Sequence, residues 1–257
     1  MKFAAIIVLL AVIAGCTGAN TAESSGRLVS VAVVTQCCDV KMAYKGGNTF
    51  FAAPIGEEYT IVVKNRTNKR ILVVPTVDGL NVIDRSKGNW DGSGYVLDAY
   101  EKVEIPGFRR SDDFQYVERF TFSEARFSLA NRIGNVRNVG VIGVAVFEEY
   151  VPPPEPVYSY GLSAESMDAK EEAGARGKSA AHARRAGTEA GRTVRDPVRR
   201  VNFQRASDMP AEILAMYYDT EENLISAGIL PPTYNPPPIG FLSPFPSNYI
   251  RGTYVTD

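Results

Sequence analysis

One histidine, one tryptophan and three cysteines in 257 residues leave this chain short of the side chains most catalysis uses. Histidine is the usual general base and metal ligand near neutral pH. The single copy, His182, lies among small and charged residues, so neither a Ser-His-Asp triad nor a multi-histidine zinc site is expected. The cysteines are Cys16 and the adjacent pair Cys37 and Cys38. Adjacent cysteines seldom bridge each other, because the small ring strains the peptide between them, and CxxC spacing is absent. The pair reads as buried thiols at a strand end, and no disulfide framework is expected. Neither sign of charge dominates: 28 Lys and Arg face 29 Asp and Glu, net −1, which argues against a nucleic-acid partner. Phosphate-cradling glycine loops are missing too, since "GNVRNVGVIG" has a strand pattern and opens no helix. Catalytic residues, cofactor and metal are therefore all expected to be none.

A hydrophobic run long enough to span a bilayer is also lacking. The longest, Phe3 to Ile13, follows Lys2 and is too short to cross a hydrocarbon core of about 30 Å as a helix. A positive start followed by a short apolar run is the pattern of an export signal over residues 1–15. Its end, Ile13-Ala14-Gly15-Cys16, resembles the bacterial lipobox, with Ile13 where Leu is preferred. That resemblance implies lipidation of Cys16, an anchor whose buried methylenes contribute about 0.8 kcal/mol each. Thr17 follows, and a residue other than Asp at this place implies sorting to the outer membrane. The membrane is thus one expected partner, through the lipid anchor.

What is present in quantity is short, β-branched and aromatic segments between turns. Residues 16–27 are small and polar and read as a tether. Residues 28–150 carry about eight or nine strands. In "EEYTIVVKN", Tyr59, Ile61 and Val63 alternate with polar residues. "KRILVVPTVDGLNVID" reads as a hairpin turning at Asp78-Gly79, with Pro75 marking its first arm as an edge or bulged strand. In "DFQYVERFTF", Phe114, Tyr116, Phe120 and Phe122 fall on one face. "VGVIGVAVFEE" is apolar on both faces and reads as a central strand covered on both sides. The expected fold is mainly β: an antiparallel β-sandwich, Ig-like or jelly-roll-like.

The prolines of 152–156 end this domain. Residues 151–197 read as a Pro-rich, charged linker that is largely disordered, since few large apolar residues offset the ordering entropy. Residues 198–230 read as a small α/β segment of two strands and a helix, with Thr220 as N-cap and Gly228 with Pro231 as the stop. Residues 231–257 form a tail rich in proline and aromatics.

The candidate sites are few. Trp90, Asp91 and Tyr95 form a possible ligand-contact loop, an exposed aromatic on a sandwich loop suiting a protein or glycan partner. "DRSKGNWDGSG" places Asp84, Asn89 and Asp91 near one another, but without EF-hand spacing. Arg109-Arg110 and Asp112-Asp113 read as a solvated turn with weak ion pairs. Asp98, Glu101 and Glu104 read as the outward face of a strand. Asp91, Asp98 and Glu101 are the carboxylates on which an envelope hydrolase would have to draw.

"GEEYTIVVKNRT", "VVPTVDGLNVID", "GSGYVLDAYEKVEIPGFRRS", "NVGVIGVAVFEE" and "YYDTEENLISAGIL" together resemble a group of uncharacterised exported proteins of Gram-negative bacteria. The resemblance covers about residues 45–235 and implies export and a shared fold. It brings no chemistry and no site residues. The expected role is a non-catalytic interaction or binding module of the cell envelope. A structural subunit of an envelope assembly, or the hydrolase, is the alternative.

Overall fold

The computed structural model describes residues 20–36, 39–110, 114–152 and 185–232. The signal, Cys16, Thr17, Cys37, Cys38, Asp112, Asp113, His182 and the tail from 233 onward lie outside the described residues.

Fourteen strands among the described residues make two seven-stranded sheets. The first sheet holds β1 (Thr21–Ser25), β2 (Val29–Thr35), β5 (Glu58–Asn65), β9 (Lys102–Ile105), β10 (Gly107–Arg109), β11 (Tyr116–Glu124) and β13 (Ala186–Arg195). The second holds β3 (Met42–Lys45), β4 (Asn48–Ala52), β6 (Ile71–Val77), β7 (Leu80–Asn81), β8 (Tyr95–Leu97), β12 (Val141–Glu148) and β14 (Glu212–Asp219). Two short helices follow turns, α1 (Leu129–Arg132) and α2 (Glu221–Ser226). Every pairing is antiparallel except that of β14 with β4.

Alternation places the core between the sheets. Tyr59, Ile61 and Val63 of β5 are fully buried, as are Val31 and Val33 of β2 and Phe120 and Phe122 of β11. From the second sheet come Phe51, Val73, Ile142, Val144, Val146, Met216 and Tyr218. Ring contacts join the layers, Phe51 to Phe122 at 6.0 Å and Phe122 to Tyr218 at 5.4 Å between centroids. Each such side chain contributes about 1.5–3 kcal/mol by leaving water.

The hairpin at Asp78-Gly79 has the expected two-residue turn, with φ of 54° and 73°. Pro75 is not on an edge, however. β6 pairs with β12 along its length and with β8 and β7 on its other side. Proline is accommodated because β8 reaches only to Val73 and β7 begins opposite Thr76, so no partner strand asks Pro75 for an N–H. β11 also departs from simple alternation. A register shift between Glu118 and Phe120 turns Tyr116 out to water and Val117 in, so Tyr116 does not share the face of Phe120 and Phe122.

Three expectations about the organisation are corrected. The tether is shorter than 16–27, because Thr21–Ser25 pairs with β2. The linker ends before 197, because Ala186–Arg195 pairs with β11 over nearly its whole length. Residues 198–230 are not a separate unit, since β14 lies between β12 and β4 inside the second sheet. Only one of the two strands expected there forms; the stretch around Phe203 makes a single bridge, Arg205 to Glu149. The helix is as read, with Thr220 accepting from the Asn223 N–H and Gly228 at φ 63°.

Gly107 is a position where the sheet tolerates no side chain. A Cβ there would sit 2.0 Å from the Glu118 carbonyl oxygen, a backbone atom fixed by the β10–β11 ladder. Gly107→Ala is expected to lower stability by about 2–4 kcal/mol through this overpacking, read as a shift of the urea midpoint.

Candidate functional site

β12 is central as expected, but only one of its faces is fully covered. Ile142, Val144 and Val146 point into the core, while Val141, Gly143 and Ala145 are half-buried on the outer face. The register aligns them with outward residues of both neighbours. Thr76, Gly143 and Ala215 make one row, and Val74, Ala145 and Ile213 the next. Tyr217 continues the face beside Val141 and stacks on Phe50 at 5.4 Å. Ile213 is 58% exposed and Tyr217 37%, so apolar surface on this face meets water.

The chain covers the two ends of this face. On one side α2 and the residues after it pack Leu224, Ile225, Ile229 and Leu230 against Ala43, Phe50 and Ala52. On the other, Phe203 packs with Leu72, Val74 and Phe147, and the Arg205 guanidinium lies 4.2 Å from the centre of the Phe147 ring. Between them runs an open groove of about 240 Å³, whose walls include Val74, Val141, Ile213, Asn138 and Trp90.

Trp90 reaches the groove from the loop between β7 and β8. The loop backbone on either side of Trp90 is pinned at several points. Gly88 donates its N–H to the Gly79 carbonyl at 2.8 Å, and the Asn81 amide donates to the Ser93 carbonyl at 2.9 Å. Arg205 donates to the Gly92 carbonyl at 3.1 Å and stands 3.6 Å from Asp91. Trp90 is 42% exposed. Asp91 is open to water beside it.

Tyr95 does not belong to this loop's surface. It is buried, its hydroxyl accepts from Arg109 Nε at 2.8 Å, and burial pushes its phenol up to about 12. Arg109 is likewise not in a solvated turn. It is 1% exposed, and it also donates to the Asp196 carbonyl and carboxylate at 2.6 Å each. The acids singled out for acid–base work sit in ordinary surface contacts. Asp98 is 79% exposed beside Arg70, Glu101 accepts from the Asp98 N–H, and Glu104 pairs with Lys102. Asp84 accepts from the Ser86 N–H.

One polar cluster was not foreseen beyond the turn that carries it. Asp78 is buried at the end of the β6–β7 hairpin. Its Oδ1 accepts from the Gly140 N–H at 2.8 Å and the Tyr218 hydroxyl at 2.6 Å, and its Oδ2 accepts from the Thr188 N–H at 2.7 Å. Thr188 Oγ1 lies 2.6 Å from the Tyr218 hydroxyl and 2.8 Å from that of Tyr59. Burial raises the carboxyl to about 6, against the hydrogen bonds that favour its charged form. Both tyrosines are held well above their ordinary range, first of all by burial. The cluster bolts β5 and β13 of one sheet to β6 and β14 of the other. Closed inside the sandwich, it serves the fold.

Comparison with known protein families, with characterised proteins and with solved structures finds no match for this chain.

Proposed function

We propose that this chain is a lipid-anchored outer-membrane protein that acts as a non-catalytic interaction module of the cell envelope, with the groove beside Trp90 as its contact surface. The observation that carries the reading is the apolar face left open between two covered ends of the second sheet. Contiguous exposed apolar surface favours association, because covering it releases ordered water. A tryptophan at the rim, on a loop whose backbone is held, adds a large contact area with few rotatable bonds to order. The groove surface is more apolar than polar, with Val74, Val141, Val144, Ala145 and Ile213 in its walls and no charged side chain, which suits an extended apolar peptide better than the hydroxyl-dense surface of a glycan. A protein partner is therefore the reading adopted. The anchor rests on Ile13-Ala14-Gly15-Cys16, and the outer-membrane address on Thr17.

The test places a photo-crosslinking side chain at position 90 in cells, in the native chain and in the Cys16→Ser variant. The native chain is expected to sediment with membranes, take up a fatty-acid probe and crosslink to a discrete protein; Cys16→Ser is expected to lose label and membrane association. Native protein that pellets without label overturns the anchor. Crosslinks to glycan, or to no other molecule, overturn the protein partner.

A further inference from the structure

A short path from the anchor to the folded domain decides which end of the sandwich meets the bilayer. We propose that the connection 125–140, between β11 and β12, rests on the phospholipid surface, with Phe127 and Ile133 in the headgroup layer and Arg126, Arg132 and Arg137 on lipid phosphates. This rests on the lipid anchor at Cys16 proposed above and is independent of the groove.

The first observation is distance. Thr17, Gly18 and Ala19 alone separate Cys16 from Asn20, where the described residues begin. Asn20 is already fixed to the first sheet: its carbonyl accepts from the Thr35 N–H at 2.9 Å, and its amide donates to the Thr35 carbonyl at 2.9 Å. Extended chain from Cys16 to Asn20 spans at most about 14 Å, and a headgroup layer takes up about 5–8 Å of it. The second is level. Thr35 pairs with Tyr59, and Tyr59 with Phe120, so Asn20 lies level with Phe120. From there β1 and β5 run away from the anchor, while β11 runs toward it from Phe120 to Glu124. That is about 13 Å at the rise of a strand. The connection at the end of β11 thus reaches as far toward the bilayer as the tether does.

The third observation is what this end carries. Residues 125–140 contain three arginines and no Asp or Glu. Glu124 and Glu189 approach Arg126 and Arg132 at 3.0 and 3.6 Å, in exposed pairs that water and salt keep weak. Phe127 and Ile133 are each more than half exposed, and Ile55 is exposed on the turn where Gly56 donates to the Phe122 carbonyl. The Arg126 guanidinium lies 4.6 Å from the centre of the Phe127 ring, so cation and apolar face are presented together. The connection itself is held in place. Ser128 donates to the Ala125 carbonyl at 2.7 Å, Arg185 to the Val139 carbonyl at 3.0 Å, and the Asn135 amide to the Gly79 carbonyl at 3.1 Å. Each arginine near an anionic surface shifts the contact equilibrium about fivefold. So few groups bind free vesicles weakly, but a short tether supplies an effective concentration of about millimolar, at which a weak contact is populated. The groove floor, Val74, Gly143 and Ala145, lies on the flank of the second sheet, so contact at this end leaves it open.

The test uses the purified, lipidated chain in vesicles of phosphatidylcholine and phosphatidylglycerol, with a quencher on some headgroups. Trp90→Phe removes the sole tryptophan, and Phe127→Trp or Tyr100→Trp supplies one reporter. Tyr100 marks the opposite end of the sandwich, where its N–H donates to the Thr67 carbonyl past the end of β5. Strong quenching is expected at position 127 and little at position 100. Arg126→Gln with Arg132→Gln and Arg137→Gln is expected to lower the docked-to-free ratio about a hundredfold at an unchanged thermal midpoint. Omitting phosphatidylglycerol weakens the contact with no variant at all. Acylated protein that floats with the vesicles but is quenched no more at 127 than at 100 overturns the contact and leaves the anchor standing. Quenching indifferent to both the arginines and the lipid charge overturns the phosphate contacts. Protein that carries no acyl chain and does not float overturns anchor and contact together. A crosslink from position 127 to a discrete protein in cells, without quenching in vesicles, assigns this end to a protein and overturns the lipid surface.

Discussion

Replacing Asp78 by alanine is expected to cost about 3–5 kcal/mol, enough to remove much of the stability of an ordinary domain. The side chain is the acceptor for two backbone N–H groups, of Gly140 and Thr188, and both are buried where water cannot replace it. Each orphaned donor costs about 1–3 kcal/mol. Alanine also tolerates the φ of 54° at this turn less well than aspartate does. Asparagine keeps the turn but presents an NH2 group to one of the two donors, so it recovers part of the loss. The asparagine variant also exposes the pH dependence. A carboxyl raised from 3.8 to about 6 on folding binds its proton more tightly in the folded state. Its contribution to stability is therefore full below pH 4, falls as pH rises toward 6, and is flat above that. The fall is on the order of 3 kcal/mol. The stability difference between native protein and Asp78→Asn is expected to be largest near pH 4 and to shrink by pH 7. Subtracting the two urea titrations cancels the other groups, among them Glu58, which is lowered chiefly by its hydrogen bond from Arg192. A difference that does not change with pH would refute the assignment.

Arg109→Met is expected to cost about 3 kcal/mol, close to the lower end for breaking a buried charge pair. The guanidinium spans three acceptors from two sheets: Tyr95 at the start of β8, and the carbonyl and carboxylate of Asp196 just past β13. Methionine fills similar volume but leaves the Tyr95 hydroxyl buried without its donor. Asp196 is about 30% exposed, so water takes over part of its solvation, which keeps the cost from rising further. Lysine restores the charge without the planar fork and is expected to recover about half. Denaturant midpoints of the three proteins decide it; a lysine variant equal to the native protein would mean that charge alone matters.

The two sheets were legible wherever alternation was strong. Tyr59, Ile61 and Val63 announced the inner face of β5, and Asp78-Gly79 announced its hairpin. β13 was misread for a physical reason. Ala186, Gly187, Thr188 and Gly191 look like a low-complexity stretch, yet their smallness is imposed by close neighbours. A Cβ on Gly187 would meet Ser128 at 2.8 Å, and one on Gly191 would meet Thr121 Oγ1 at 2.6 Å. Composition records few large apolar residues there; it does not record that β11 of the same sheet and the residues around α1 have taken the space. Arg109 was misread for the converse reason. Its partners lie 14 and 87 residues away, and local charge runs say nothing of them. Of the candidate loop, Trp90 and Asp91 lie at the surface and Tyr95 does not, because alternation beginning at β8 turns Tyr95 inward.

β14 carries a consequence for how the chain reaches its folded form. It separates β4 from β12 and pairs with both, and its parallel register with β4 joins residues 167 apart, Met216 to Thr49. Until that strand arrives, β4 and β12 each present an open ladder, and the second sheet exists only as two unconnected halves. Loop closure over such a separation comes late, after the local hairpins. A chain emerging from N to C terminus thus lacks its central beam until most of its length has appeared. Early collapse of the first 150 residues would leave two sticky edges, the kind of surface through which sheets join wrong partners.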